Sequence, residues 1–99
     1  MDQAGPMTVI ARHLIIHGRV QGVFYRNWMV TAAHDLGIAG WVRNLMNGTV
    51  EAFVEGSPEA VEQMLQLAHQ GPAAAKVDRI VVQDVREEGL PNFQKRPTT

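Results

Sequence analysis

The stretch GWVRNLMNGTVEAFVE, residues 40–55, decides the fold, because two runs of alternating side chains lie on either side of a turn. Asn47 and Gly48 form the turn, since both residue types tolerate the positive φ angles that a two-residue β-hairpin requires. Alternation of this kind is typical of strands with one buried face. The stretch therefore predicts an antiparallel hairpin of residues 40–46 and 49–55.

A two-residue turn also predicts which residues pair across the hairpin. In that register Trp41 faces Val54 and Leu45 faces Val50. Because directly opposed side chains lie on the same face of a sheet, we expect these four residues to form an apolar face.

Upstream of the hairpin, the apolar period is that of a helix. Tyr25, Met29, Ala32 and Leu36 recur at i, i+4, i+7 and i+11, which is one stripe of a helix surface. Gly37 follows directly, and glycine adopts the left-handed conformation that ends many helices without a Cβ clash. We therefore predict a helix that ends at Leu36.

Downstream of the hairpin, Ser57-Pro58-Glu59 is a favourable helix start. It supplies a hydroxyl for the N-cap, proline at the first helical position and an acid in the first turn. Gly71-Pro72 ends this second helix. Its buried stripe falls at i, i+3, i+4 and i+7: Val61, Met64, Leu65 and Ala68.

Three further runs complete the order of elements. Residues 9–17 and 77–85 are rich in branched apolar side chains and are predicted to be strands, and residues 93–95 are predicted to be a short edge strand. The order β-α-β-β-α-β is that of the split βαβ, or ferredoxin-like, arrangement. The predicted fold is therefore an α+β fold with an antiparallel sheet and two helices packed on one face.

Length and composition limit the possible functions. A chain of 99 residues with 45% hydrophobic residues predicts one globular domain, residues 8–96, preceded by a flexible tail, residues 1–7. The net charge of −1 does not indicate a nucleic-acid-binding face, and no apolar run is long enough to span a membrane. The absence of cysteine and of a secretory signal leads us to expect a cytoplasmic protein.

The segment GRVQGVFYR, residues 18–26, joins the first strand to the first helix. Gly18 and Gly22 let the backbone curl so that successive N–H groups converge on an anion. Arg26, at the helix start, presents a planar fork suited to two phosphate oxygens. These features predict a phosphate cradle, although the spacing alone also allows an ordinary loop with a solvated arginine.

Three motifs in the same order resemble the acylphosphatase family. The first is residues 18–26, the second is GWVRN at 40–44 followed by GTVE at 48–51 and Gly56, and the third is Gly71-Pro72 with Ala75 and Val77-Asp78. The resemblance extends over residues 9–85, with Phe93 in the place of the family's C-terminal strand. It implies hydrolysis of the carboxyl–phosphate anhydride bond of acyl phosphates.

The resemblance also implies roles for individual residues. Arg26 would bind the phosphoryl group, and Asn44 would orient the attacking water. The loop that would supply the cradle consists of Arg19, Val20, Gln21, Gly22 and Val23. We expect a monomer that needs no metal or cofactor, with inorganic phosphate as product and inhibitor.

Several residues have no assigned chemical role at this level. His17 lies next to the loop, and neither its role nor that of the Gln21 side chain is fixed. Glu55, Glu59 and Glu62 are interpreted as solvated charges around the second helix start. An alternative function is a non-catalytic anion-binding module. An RNA-recognition domain is less favoured, because it would need exposed aromatic residues on a basic sheet.

Overall fold

A computed structural model describes residues 8–99, so the predicted tail, residues 1–7, lies outside the described residues. The elements follow the predicted order, including the short C-terminal strand at residues 93–95. Their bounds are β1 Ile10–Arg19, α1 Tyr25–Leu36, β2 Ala39–Asn44, β3 Val50–Gly56, α2 Pro58–Gln70, β4 Lys76–Val85 and β5 Phe93–Lys95. The predicted ferredoxin-like α+β fold is confirmed.

The five strands form one sheet in the order β4-β1-β3-β2-β5. Neighbouring strands are antiparallel, except that β5 runs parallel to β2, with Phe93 opposite Gly40 and Lys95 opposite Val42. The chain crosses from β4, at one edge of the sheet, to the opposite edge before it forms β5, which runs parallel to β2. The sheet is therefore mostly antiparallel, with one parallel pair. This crossing places β5 beside residues 40–42 of β2.

The core lies between the helices and one face of the sheet. In α1 the most buried residues are Tyr25, Met29 and Ala33, while the predicted Ala32 and Leu36 are only partly buried at the edge of the same stripe. In α2 the buried positions include three of the four predicted. The core residues are Leu14, Ile16, Val20, Tyr25, Met29, Ala33, Ile38, Val42, Val50, Ala52, Val54, Val61, Met64, Ala68 and Phe93.

The β2–β3 turn is one residue longer than predicted. Leu45 N donates to Thr49 O at 2.9 Å, which leaves a three-residue loop. The Asn47 side chain accepts from Thr49 N at 3.0 Å and from Thr49 Oγ1 at 2.6 Å, and only Gly48 in this loop has positive φ. The asparagine thus forms a side-chain turn instead of entering the left-handed region, and this change of turn type adds the residue.

The longer turn makes the predicted register wrong by one position. Trp41 pairs with Phe53, and its ring stacks on that of Phe53 with centroids 6.4 Å apart, on the face away from the helices. Val54 is opposite Gly40 and faces the core. Asn44 is opposite Val50 at the end of β2, so its side chain is on the helix-facing side of the sheet.

The interpretation of Glu55 as a solvated charge is wrong. Glu55 is 4% exposed, and its two carboxylate oxygens accept hydrogen bonds from Glu88 N at 2.7 Å and from Leu90 N at 2.6 Å. Glu59 and Glu62 are exposed as expected. Glu55 therefore fastens the segment between β4 and β5, which carries the chain across to the edge beside β2.

A polar cluster lies on the open face of the sheet. Glu51 accepts from Arg43 Nε at 2.6 Å and lies 2.7 Å from His13 Nε2. Partial burial alone would raise the pKa of Glu51, but the hydrogen bonds with His13 and Arg43 outweigh it and hold the pKa below its ordinary value. Arg43 is thus engaged on the side of β2 opposite Asn44.

Candidate active site

The loop between β1 and α1 depends on two glycines for different reasons. Gly22 has φ +74° and open space around it, so it is required for its backbone conformation. Gly18 has φ +130°, and a Cβ there would lie 2.2 Å from Lys76 O. Gly18 therefore also permits close approach to β4, at an irregularity in the β1–β4 pairing, a second role that the sequence did not indicate.

The start of α1 leaves its backbone donors without a side-chain partner. The capping residue, Phe24, has φ +66° and makes no side-chain cap hydrogen bond, and the first turn contains no acidic residue. Arg26 lies in that first turn. Four N–H groups at a helix start lack intrahelical partners, and the helix dipole adds positive potential there. This end of α1 is consequently suited to an anion.

The Gln21 side chain fixes the loop to the β2–β3 hairpin. Its Nε2 donates to Leu45 O and to Thr49 O, each at 2.8 Å. Both carbonyl groups belong to residues that close the hairpin. The role left open for the Gln21 side chain is therefore structural in this geometry, because it sets the distance between the loop and the end of β2.

A pocket of about 300 Å³ opens where the loop, the start of α1 and the ends of β2 and β5 meet. Arg26 and Asn44, which are 18 positions apart in sequence, both line it. Among residues 8–99, those that line it are Val20, Gly22, Phe24, Tyr25, Arg26, Asn27, Asn44 and Lys95. Of the predicted loop, Arg19, Gln21 and Val23 do not line this pocket.

Asn44 supplies a polar atom that has no partner in the described chain. Its Oδ1 is buried and accepts no hydrogen bond from residues 8–99. A buried amide oxygen of this kind is costly unless a ligand or water satisfies it. Asn44 is therefore a pocket residue whose amide oxygen is left unsatisfied by residues 8–99.

Tyr25 also lines the pocket but is occupied by the fold. Its hydroxyl donates to Ala68 O at 2.6 Å and links α1 to α2. Burial raises the pKa of Tyr25 well above its ordinary value, so the phenol stays protonated at neutral pH. Tyr25 is therefore a packing residue at the base of the site.

Sequence reasoning missed four residues that line the pocket: Phe24, Tyr25, Asn27 and Lys95. Strand alternation places Lys95 on the same face as the buried Phe93, but it does not give the strand beside β5. Phe24 and Tyr25 lie within the motif of residues 18–26 and Asn27 follows it, but the resemblance gave none of them a role in the site.

The histidines do not form a metal site in the described chain. Within residues 8–99, no group of three histidine, aspartate or glutamate side chains lies close enough to hold an ion. His17 is not among the residues that line the pocket.

Within residues 8–99, no helix is long and apolar enough to cross a membrane.

Comparisons with known proteins give one family for this chain. The acylphosphatase family model matches residues 12–95. An acylphosphatase of Acidiphilium cryptum is 50% identical over 90 residues, which are 91% of this chain and 99% of that protein. The acylphosphatase structures from Bacillus subtilis and Coxiella burnetii superpose with TM-scores of 0.85 and 0.86, at 33% and 30% identity. They cover 88% and 89% of this chain, and 98% and 93% of those chains. The chain therefore belongs to the acylphosphatase family, and it is an enzyme that hydrolyses acyl phosphates.

Proposed function

We propose that Arg26 and the backbone amides of residues 19–23 bind the phosphoryl group of the substrate, and that Asn44 orients the water that attacks it. The observation that carries this proposal is the buried Asn44 Oδ1 without a hydrogen-bond donor, in the same pocket as Arg26. Arginine can satisfy two phosphoryl oxygens at once, and the amide oxygen can accept a hydrogen bond from water.

The charge in the pocket suits the substrate rather than an acid–base pair. Arg26 and the start of α1 place positive charge where the phosphoryl oxygens would lie. Asn44 does not titrate near neutral pH, so it can position water but cannot remove its proton. The reaction must therefore proceed without a protein general base at this position.

The chemistry balances with these groups alone. The water oxygen forms a bond to phosphorus, the phosphorus–oxygen bond to the acyl group breaks, and its electron pair leaves with the carboxylate. One water proton stays on the incoming oxygen and the other passes to a phosphoryl oxygen, which gives inorganic phosphate. Because a carboxylate is a good leaving group, positioning and charge stabilisation are the main requirements.

The test is hydrolysis of benzoyl phosphate with and without a chelator. We expect activity to survive chelation and inorganic phosphate to inhibit competitively, since Arg26 and backbone amides provide the charge that a metal would otherwise supply. Loss of activity on chelation that a divalent ion restores would contradict the proposal. Phosphate binding without turnover would instead indicate an anion-binding module.

We further propose that residues 8–96 act as one domain and that the enzyme is a cytoplasmic monomer. The family match over residues 12–95 and the single sheet support the domain limits. The absence of cysteine supports a reducing compartment. Light scattering of the purified chain would test the oligomeric state.

A further inference from the structure

Phe24 is the most unusual residue of the pocket. Its side chain is 78% exposed, although it is a large aromatic residue and lies at the rim of the site. An exposed aromatic side chain at a concave site loses favourable burial unless a ligand covers it. Its exposure thus points toward a ligand.

The backbone of Phe24 is also unfavourable. It is the one residue other than glycine within residues 8–99 that has positive φ, at +66°. A bulky side chain disfavours this conformation, and glycine or asparagine would adopt it at lower cost. Strained backbone of this kind persists mainly at functional sites. Exposure and backbone conformation are two separate observations on the same residue.

Phe24 alone offers apolar surface to a ligand in this pocket. The other apolar or aromatic lining residues, Val20 and Tyr25, are each 1% exposed and belong to the core. The remaining lining residues are polar, charged or glycine. Since the Phe24 ring carries no hydrogen-bond donor, it cannot serve the phosphoryl oxygens.

In the proposed reaction, the acyl group is the part of the substrate that neither Arg26 nor the loop amides bind. In-line attack places the acyl group on the side of phosphorus opposite the water that Asn44 holds. The phosphoryl oxygens are satisfied by Arg26 and the loop amides. Phe24 is the exposed apolar residue among those that line the pocket, so its ring is the surface available to cover the acyl group.

We propose that Phe24 binds the acyl group and gives the enzyme a preference for aromatic over short aliphatic acyl phosphates. This inference rests on the proposed function. The ring of an aromatic acyl group packs against Phe24 in an offset or edge-to-face arrangement, whereas an acetyl group is too small to cover it. Phe24 is thus a specificity residue, while Arg26 and Asn44 act on the phosphoryl group.

The test compares kcat/KM for benzoyl phosphate with kcat/KM for acetyl phosphate in each variant. Because the ratio is compared with that of the wild type, the intrinsic reactivity of the two substrates cancels. Phe24→Asn and Phe24→Gly remove the ring and tolerate the left-handed conformation, so folding is kept. We expect both to lower the benzoyl-to-acetyl ratio by roughly 3- to 10-fold, the effect of losing one aromatic pair.

Two controls make the result specific. Phe24→Tyr retains the ring and should retain the ratio. Met46→Ala removes another apolar side chain, 84% exposed but outside the pocket, and should also retain it. A ratio unchanged in Phe24→Asn and Phe24→Gly would overturn the inference, because the ring would then make no contribution to the choice of acyl group. Absence of turnover by wild type with both substrates would instead refute the proposed function.

Discussion

The two helices of this fold begin in opposite ways. At the start of α2, Ser57 has an extended backbone, its Oγ accepts from Ala60 N at 3.2 Å, and Pro58 and Glu59 follow. At the start of α1, Phe24 has a left-handed backbone and no side-chain cap, and the first turn contains Arg26 instead of an acid. Both helices follow a strand and pack on the same face of one sheet.

The difference assigns a stabilising role to the start of α2 and fits the binding role that we propose for the start of α1. A serine cap satisfies one backbone donor, and an acid in the first turn complements the helix dipole. In α2 these interactions are made within the chain. In α1 the capping residue makes no such hydrogen bond and the first turn has no acid, so the dipole end keeps its positive potential and Arg26 adds to it.

Removal of the α1 arginine should have the largest effect. We expect Arg26→Ala to lower kcat/KM by at least about 10³-fold, the range seen for arginines that stabilise transferring phosphoryl groups. Arg26→Lys should fail to restore activity, because lysine lacks the planar two-point fork. Steady-state kinetics and competitive inhibition by phosphate measure both effects. Near-normal turnover and phosphate inhibition in Arg26→Lys would show that Arg26 is not a ligand of the phosphoryl group.

Asn44→Ala should lower kcat by on the order of 100-fold, since misplacing the attacking water by about 1 Å has that effect. Phosphate inhibition and thermal stability should change little, because Asn44 Oδ1 makes no hydrogen bond within residues 8–99. The measurement is kcat together with the phosphate inhibition constant. A parallel loss of phosphate affinity in a folded variant would identify Asn44 as a binding residue.

Asn27→Asp adds an acid to the first turn of α1 and so makes the start of α1 resemble the start of α2. We expect the free energy of unfolding to rise by roughly 0.3–1 kcal/mol, because the new carboxylate interacts favourably with the helix dipole. Phosphate affinity should fall on the order of tenfold, because the new carboxylate lies in the pocket. Glu59→Gln in α2 is the matched control and should lower stability without changing phosphate affinity.

The converse change, Ser57→Ala, should have the smallest effect and act on stability alone. Loss of the hydrogen bond to Ala60 N should lower the free energy of unfolding by about 1 kcal/mol. Thermal denaturation measures the effect on stability, and phosphate inhibition measures whether phosphate affinity is unchanged. A large loss of phosphate affinity would mean that the two helix starts are coupled and that the contrast between them is wrong.

Local patterns predicted most of this fold, because each depends on neighbouring residues. The Ser57 cap, the Gly37 helix end and the order of elements all follow from short-range geometry. The hairpin register did not, because Asn47 could form either a positive-φ turn or a side-chain turn, and the structure has the second. One residue in the turn then changed the partner of Trp41.

What sequence reasoning missed, in the fold and in the site, depends on distant contacts. Glu55, which does not line the pocket, is buried because the backbone at Glu88 and Leu90 donates to it, which no local pattern reveals. Lys95 reaches the pocket only because β5 pairs with β2 in parallel. The loop pattern and the family resemblance both predicted Arg26, the resemblance alone predicted Asn44, and the structure brings both to one pocket.

The Gln21 amide has a consequence for ligand-linked folding. Because it joins the loop to Leu45 and Thr49, the cradle is held in place only once the hairpin has docked against β1 and α1. The unfolded chain therefore has no equivalent phosphate site. A ligand that binds only the native state stabilises it in proportion to the logarithm of its concentration, by about 2.7 kcal/mol at 100 times Kd. Inorganic phosphate should thus raise the melting temperature of the wild type and report directly on assembly of the site.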